Sequence, residues 1–243
     1  MRTIGLITAL FLLPLLLSAG LALSTRAEHW SRARWDATGL APDPATEAGA
    51  VVQVYAARAW GWKGAFAVHS WLAYKPAGAA AYERWEVVGW GVGRGAAAVR
   101  RNLRPADARW AGNDPELLVD LRGAVAGAII PKLEAAIARY PYPAAYRTWP
   151  GPNSNTFVAW LGREVPELRL TLPPHAIGKD FLGRHFAAAT PSGTGLQLSL
   201  GGLLGVAIGL EEGLELNLLG LVVGLDPRRL AIKLPGLGRL GLN

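Results

Sequence analysis

The sequence has no cysteine, which excludes a disulfide framework, a thiolate metal site, a cysteine nucleophile and a lipid-bearing cysteine anchor. Lysine is scarce, with 5 residues against 20 arginines. Aromatic residues stop at Phe186, so the last 51 residues are built without them and hold 17 Leu and 12 Gly instead. Charge is also thin, at 18% of residues against 51% hydrophobic, which excludes a disordered chain. The 243 residues suit one large domain, or one domain with an appendage.

The formal net charge of +7 is spread through the chain. Its densest run is Arg94, Arg100, Arg101, Arg104 and Arg109, opposed only by Asp107. Such a run suits acidic headgroups or a phosphate, but it carries no nucleic-acid reader motif. A solvated basic surface is expected, with no nucleic-acid partner.

Ile4 to Ser24 is 21 residues without a charge, broken only by Pro14. A run of that length reads as a signal peptide or a membrane anchor. Ser18-Ala19-Gly20-Leu21-Ala22 supplies small residues for a signal peptidase. Both readings place the body outside the cytoplasm, periplasmic or tied to the inner membrane. Residues 25–47, with His29, Trp30, Trp35, Pro42 and Pro44, read as a tether.

Residues 48–190 read as an α+β core, an antiparallel sheet with packed helices. Val51 to Tyr55, Ala65 to Tyr74 and Trp85 to Trp90 are strand-like, rich in β-branched and aromatic residues. Asp114-Pro115 has the form of a helix start. Leu117, Leu118, Leu121, Val125, Ile129 and Ile130 follow at helical spacing, so a helix is predicted from Asp114 to about Tyr140, kinked or divided at Pro131. Asn153-Ser154-Asn155-Thr156 starts a second helix. In residues 191–243 Leu196, Leu198 and Leu200, Leu214, Leu216 and Leu218, and Leu230, Ile232 and Leu234 alternate with period two. A Leu/Gly-rich antiparallel β-meander is therefore predicted, turning at Glu212-Gly213 and Asp226-Pro227, in preference to a membrane hairpin.

Chemistry must start from four histidines. His29 belongs to the tether. His175 and His185 flank Asp180 at spacings that match no common metal signature, so neither metal nor cofactor is expected. His69 lies inside an apolar strand, where a hydrogen-bonded core histidine is the ordinary outcome. Asn153-Ser154-Asn155 follows Trp149-Pro150-Gly151-Pro152 and opens a helix, whose free N–H groups and dipole stabilise negative charge. A plain N-cap is the ordinary reading there too.

Val68-His69-Ser70-Trp71, Trp85-Glu86-Val87-Val88-Gly89-Trp90, Trp149 to Phe157, Ala176 to Asp180 and Leu210 to Asn217 resemble a bacterial family known only as a domain of unknown function. The order of a strand histidine, a polar residue on the next strand (Glu83 or Glu86) and an Asn-Ser helix start is also similar to circularly permuted papain-like proteins of the NlpC/P60 and lecithin:retinol acyltransferase type. There an Asn-Cys stands where this chain has Asn153-Ser154. That resemblance implies either a serine variant or the fold without its chemistry. The catalytic version makes Ser154 nucleophile, His69 base and Glu86 the group orienting it, with Asn153, Asn155 and Trp149 binding substrate. The non-catalytic version is an envelope module that binds a glycan, a lipid or another envelope protein through its tryptophans and meets the membrane through its N-terminal segment. The missing cysteine favours the second.

Overall fold

The computed structural model describes residues 2–24 and 32–241, so His29 and Trp30 lie outside the described residues. Helix α1 spans Arg2–Ser24. It packs against a 3₁₀ turn at Gly61–Ala65 and against two strands of the C-terminal sheet. Phe11 and Pro14 are buried on its inner side, and Ser18 Oγ donates to the carbonyls of Ala65 and Gly236 at 2.5 and 3.1 Å. Among the described residues no helix is long and apolar enough to cross a membrane.

The core is a five-stranded antiparallel sheet in the order β4-β3-β2-β1-β5, formed by β1 (Val51–Arg58), β2 (Val68–Lys75), β3 (Glu83–Val87), β4 (Val99–Arg101) and β5 (Glu116–Arg122). Helices α2 (Gly123–Ala138) and α3 (Ser154–Glu164) cover one face. There Val52, Val54, Leu72 and Tyr74 meet Ile129, Leu133, Phe157 and Val158. The opposite face carries Tyr55, Trp71 and Ala73 and is covered by Ala106 and Trp110. Each buried strand thus splits its side chains between two cores, as the two-residue period requires.

One predicted helix start is corrected. Glu116–Arg122 forms edge strand β5, paired with β1, and α2 begins only at Gly123. The open edge of β1 supplied the partner that local helical spacing could not reveal, and Gly123 at φ +64° turns the strand into the helix. Pro131 does not divide α2, which runs through it to Ala138. The predicted strand from Ala65 starts later, at Val68, because Gly61–Ala65 forms the 3₁₀ turn.

The C-terminal part is a seven-stranded antiparallel meander in sequential order: β6 (Ala187–Ala189), β7 (Gly195–Leu200), β8 (Leu204–Gly209), β9 (Gly213–Leu218), β10 (Leu221–Asp226), β11 (Ala231–Leu234) and β12 (Gly238–Gly241). Its register places Leu196, Leu198, Leu200, Leu204, Val206, Ile208, Leu214, Leu216 and Leu218 on one face. Leu221, Val223, Leu225, Ile232, Leu234 and Leu240 continue that face. Gln197, Ser199, Glu215, Asn217 and Lys233 lie on the other face and are buried. A soluble antiparallel sheet normally buries its apolar face and wets its polar one. Here the order is inverted.

The buried polar face is a closed network. Glu215 is held between Lys179 and Lys233, the latter at 2.5 Å. Asp180 accepts from Gln197 and, at 3.1 Å, from Asn217, and Arg163 of α3 donates to Gln197 at 2.5 Å. Burial works to raise Glu215, and the two ammonium groups outweigh it and hold the carboxyl below its ordinary value. For Asp180 burial wins and the carboxyl is pushed up.

Candidate functional site

A cavity of about 270 Å³ opens where β2 begins and α3 begins. Its walls are aromatic: Trp60, Trp62, Phe66, Trp90, Trp110 and Trp149, with Tyr146 beside them. Its polar lining includes His69, Thr148, Asn153, Ser154 and Asn155. Trp60, Trp62 and Trp149 are 39%, 73% and 48% exposed, so these rings do not serve as core filling. Trp90 and Trp110 stack at 5.5 Å with planes 6° apart, and His69 stacks on Trp110 at 3.5 Å. Trp149 Nε1 donates to the Leu219 carbonyl at 2.8 Å and ties the cavity wall to the meander.

The predicted pairing of His69 with Glu86 is present. His69 Nε2 lies 2.8 Å from Glu86 Oε2, and both side chains are buried. Arg84 completes the group, with Nε 2.8 Å from Glu86 Oε1 and its guanidinium 4.1 Å from the Trp71 ring centroid. Burial pushes His69 below the ordinary histidine value despite the pull of Glu86. Burial also acts to raise Glu86, but Arg84 and His69 outweigh it and bring the carboxyl down to about 2. The neutral imidazole therefore donates from Nε2 to an ionised Glu86, and Nδ1 is an acceptor without a partner among the described residues. The alternative orienting residue, Glu83, accepts from Tyr74, Trp85 and Arg101.

Ser154 and His69 both border the cavity, but they come from opposite faces of the sheet. Along β2, Val68, Leu72 and Tyr74 pack with the helices, whereas Trp71 and Ala73 pack on the other side. By alternation His69 goes with Trp71, and Ser70 faces α3. Ser70 Oγ donates to Asn155 Oδ1 at 2.8 Å. No hydrogen bond joins His69 to Ser154 among the described residues, and the Ser154 hydroxyl makes none at all there. Sequence reasoning named His69 and passed over Ser70, whose position in the alternation was the signal for it.

The helix start is occupied as a cap. Asn153 Oδ1 accepts from the backbone N–H groups of Asn155 and Thr156 at 3.0 and 3.1 Å. Thr156 Oγ1 accepts in return from the Asn153 N–H at 3.2 Å, closing a capping box. Asn153 Nδ2 donates to the carbonyls of Thr148 and Ile177. Asn155 Nδ2 donates to those of Val68 and Ile177. These two asparagines therefore clasp α3, β2 and the 148–178 loops together, and the N–H groups of Asn155 and Thr156 are spent internally. The other histidines lie elsewhere. His175 is buried, its Nδ1 unpartnered, and burial with Arg58 pushes it down to about 3, while His185 is exposed.

The family model described as "Protein of unknown function (DUF3750)" matches residues 49–181. This span is more than half of the chain and contains every residue of the aromatic cavity, and the chain belongs to that family. No curated protein and no solved structure matches the chain.

Proposed function

We propose that this DUF3750 member is a non-catalytic binding module of the cell envelope, exported or held at the inner membrane by residues 1–24. The observation that carries the reading is the exposure of three tryptophans around one cavity whose floor is already packed. Indole faces left open to water favour the apolar faces of pyranose rings. The unpartnered Ser154 hydroxyl and His69 Nδ1 at the same cavity offer hydrogen bonds to sugar hydroxyls. An envelope glycan is the ligand class that uses both. The histidine strand and the Asn-Ser helix start are taken as a papain-like arrangement kept without its thiol. A calorimetric titration of the full chain with N-acetylglucosamine oligomers tests this. Trp149→Ala weakens binding by roughly tenfold or more, the size of losing one stacked aromatic anchor, while Ser154→Ala weakens it only by the few-fold of one neutral hydrogen bond. Absence of binding by the wild-type chain rejects the glycan reading.

A second reading, an acyl hydrolase or acyltransferase using Ser154 with His69, draws on the free hydroxyl and the neutral imidazole at one cavity. It needs a rearrangement that brings them within hydrogen-bond reach. Labelling of Ser154 by a fluorophosphonate, abolished in both Ser154→Ala and His69→Ala, would establish it in place of the first.

A further inference from the structure

The register of the meander gives it a face of aliphatic side chains, with no hydroxyl, amide or charge among them and with the exposed Phe186 ring at its β6 edge. Seven strands spaced about 4.8 Å apart, each three to six residues long at about 3.4 Å per residue, give the whole sheet face roughly 600 Å². With the outward leucines of α1 standing in for the part it covers, this is at the upper end of the largest apolar patches of ordinary soluble monomers, about 300–600 Å². Ile208, Leu216 and Leu225 are 62%, 49% and 54% exposed, whereas Val223 on β10 is buried, so the face is open over β7 to β9 and partly covered at β10. Helix α1 packs against β10 and β11, where Val223 is buried, and its outward leucines, among them Leu13, Leu16 and Leu17, replace the part of the apolar surface that it covers.

Charge decides what this surface meets. From residue 182 to the end of the chain the acidic residues are Glu211, Glu212, Glu215 and Asp226, and all four are buried. The charges that reach solvent there are basic: Arg184, Arg228 and Arg239 are exposed and Arg229 partly so. Arg184 lies two residues from the exposed Phe186, and Arg228 and Arg229 adjoin the exposed Leu230. At the other end of α1, the 3₁₀ turn offers exposed Trp62 beside exposed Lys63. Apolar side chains neighboured by cations and an interfacial tryptophan complement an anionic lipid surface.

We propose that the aliphatic face of β6–β12, continued by the outer side of α1, rests on an anionic lipid bilayer. The open part of the sheet and the outer side of α1 meet the surface together, their leucine side chains dipping into the acyl region. Deeper insertion would carry the open edges of β6 and β12 into hydrocarbon, where unpaired backbone groups are not tolerated. A second copy of the chain fits less well. The face has no polar groups to fix register between subunits, and the charges that reach solvent around it are of one sign. The face lies outside the family-matched span, so this inference stands apart from the ligand of the cavity.

The absence of native cysteine permits a direct test. Full-length Leu216→Cys, Leu13→Cys and Ala135→Cys chains, the last on α2, carry a bimane label and are reconstituted with phosphatidylglycerol/phosphatidylcholine vesicles. At Leu216→Cys the emission shifts to the blue and is quenched when the lipid chains are brominated, and at Ala135→Cys neither happens. Vesicles of phosphatidylcholine alone give a weaker response. Adding Ile208→Ser and Leu225→Ser lowers vesicle partition by roughly tenfold per leucine-sized side chain removed. Quenching at Leu13→Cys without quenching at Leu216→Cys would show that the helix alone meets lipid, and overturns the proposal. Copy-to-copy crosslinking through Leu216→Cys without lipid quenching assigns the face to a dimer and overturns it as well.

Discussion

At the scale of single residues, the decisive fact is the alternation along β2. One residue of offset separates His69, on the Trp71 side of the sheet, from Ser70, on the side of α3. The partnership of His69 with Glu86 was legible, because neighbouring strands of one sheet bring such side chains together. The face from which His69 would approach Ser154 was not, because it depends on which side α3 takes. The same scale holds a pH effect. His175 has an ordinary pKa near 6.5 in the unfolded chain and about 3 in the fold, so below pH 6.5 the unfolded state binds the extra proton. Stability therefore falls as the medium is acidified, by up to about 1.4 kcal/mol per pH unit from His175. Between pH 6.5 and 5, above the carboxylate range, His175→Leu removes this contribution and leaves one of the same sign from His69, which burial also lowers. Urea midpoints measured across this window check it, and an unchanged slope would be inconsistent with a neutral buried His175.

At the scale of elements, local signals succeeded where the ends of elements are set locally. Asn153-Ser154-Asn155-Thr156 capped α3 as its composition required, and the period-two leucines became β7 to β11. They failed at Asp114 to Arg122, where a helical spacing was overruled by pairing with β1, and β5 took its place as the edge strand. Asn153 does more than an ordinary cap, since its amide also holds the Thr148 and Ile177 carbonyls. Asn153→Ala should therefore cost more than the roughly 1 kcal/mol of a lost cap, on the order of 2–3 kcal/mol. Asn153→Asp keeps the acceptor for the helix N–H groups and places its charge favourably at the helix N-terminus, so it should recover part of the loss in thermal denaturation. Equal losses in both variants would show that the cap contributes little.

At the scale of the whole molecule, two sheets are joined through a buried ionic network, and the meander turns its aliphatic face outward. The composition shift after Phe186 marked this second part, but sequence alternation cannot say which face is covered. That is decided by Lys179, Asp180 and Arg163 of the first part, which supply partners for Glu215, Gln197 and Asn217. Glu215→Leu leaves Lys179 and Lys233 buried without their carboxylate and should cost about 3–5 kcal/mol in urea unfolding. A cost below about 1 kcal/mol would mean that water reaches both lysines in the folded state.

The claim that the aromatic cavity is a binding site is tested most directly through its indoles. The ten tryptophans give ten side-chain N–H resonances in a ¹⁵N-labelled chain. Addition of an N-acetylglucosamine oligomer should move those of Trp60, Trp62, Trp90 and Trp149 together in a saturable way. The resonances of Trp71, bonded to the Ala106 carbonyl, and Trp160, bonded to that of Ala136, should stay in place. Shifts confined to tryptophans outside the cavity, or none at saturating ligand, would contradict it.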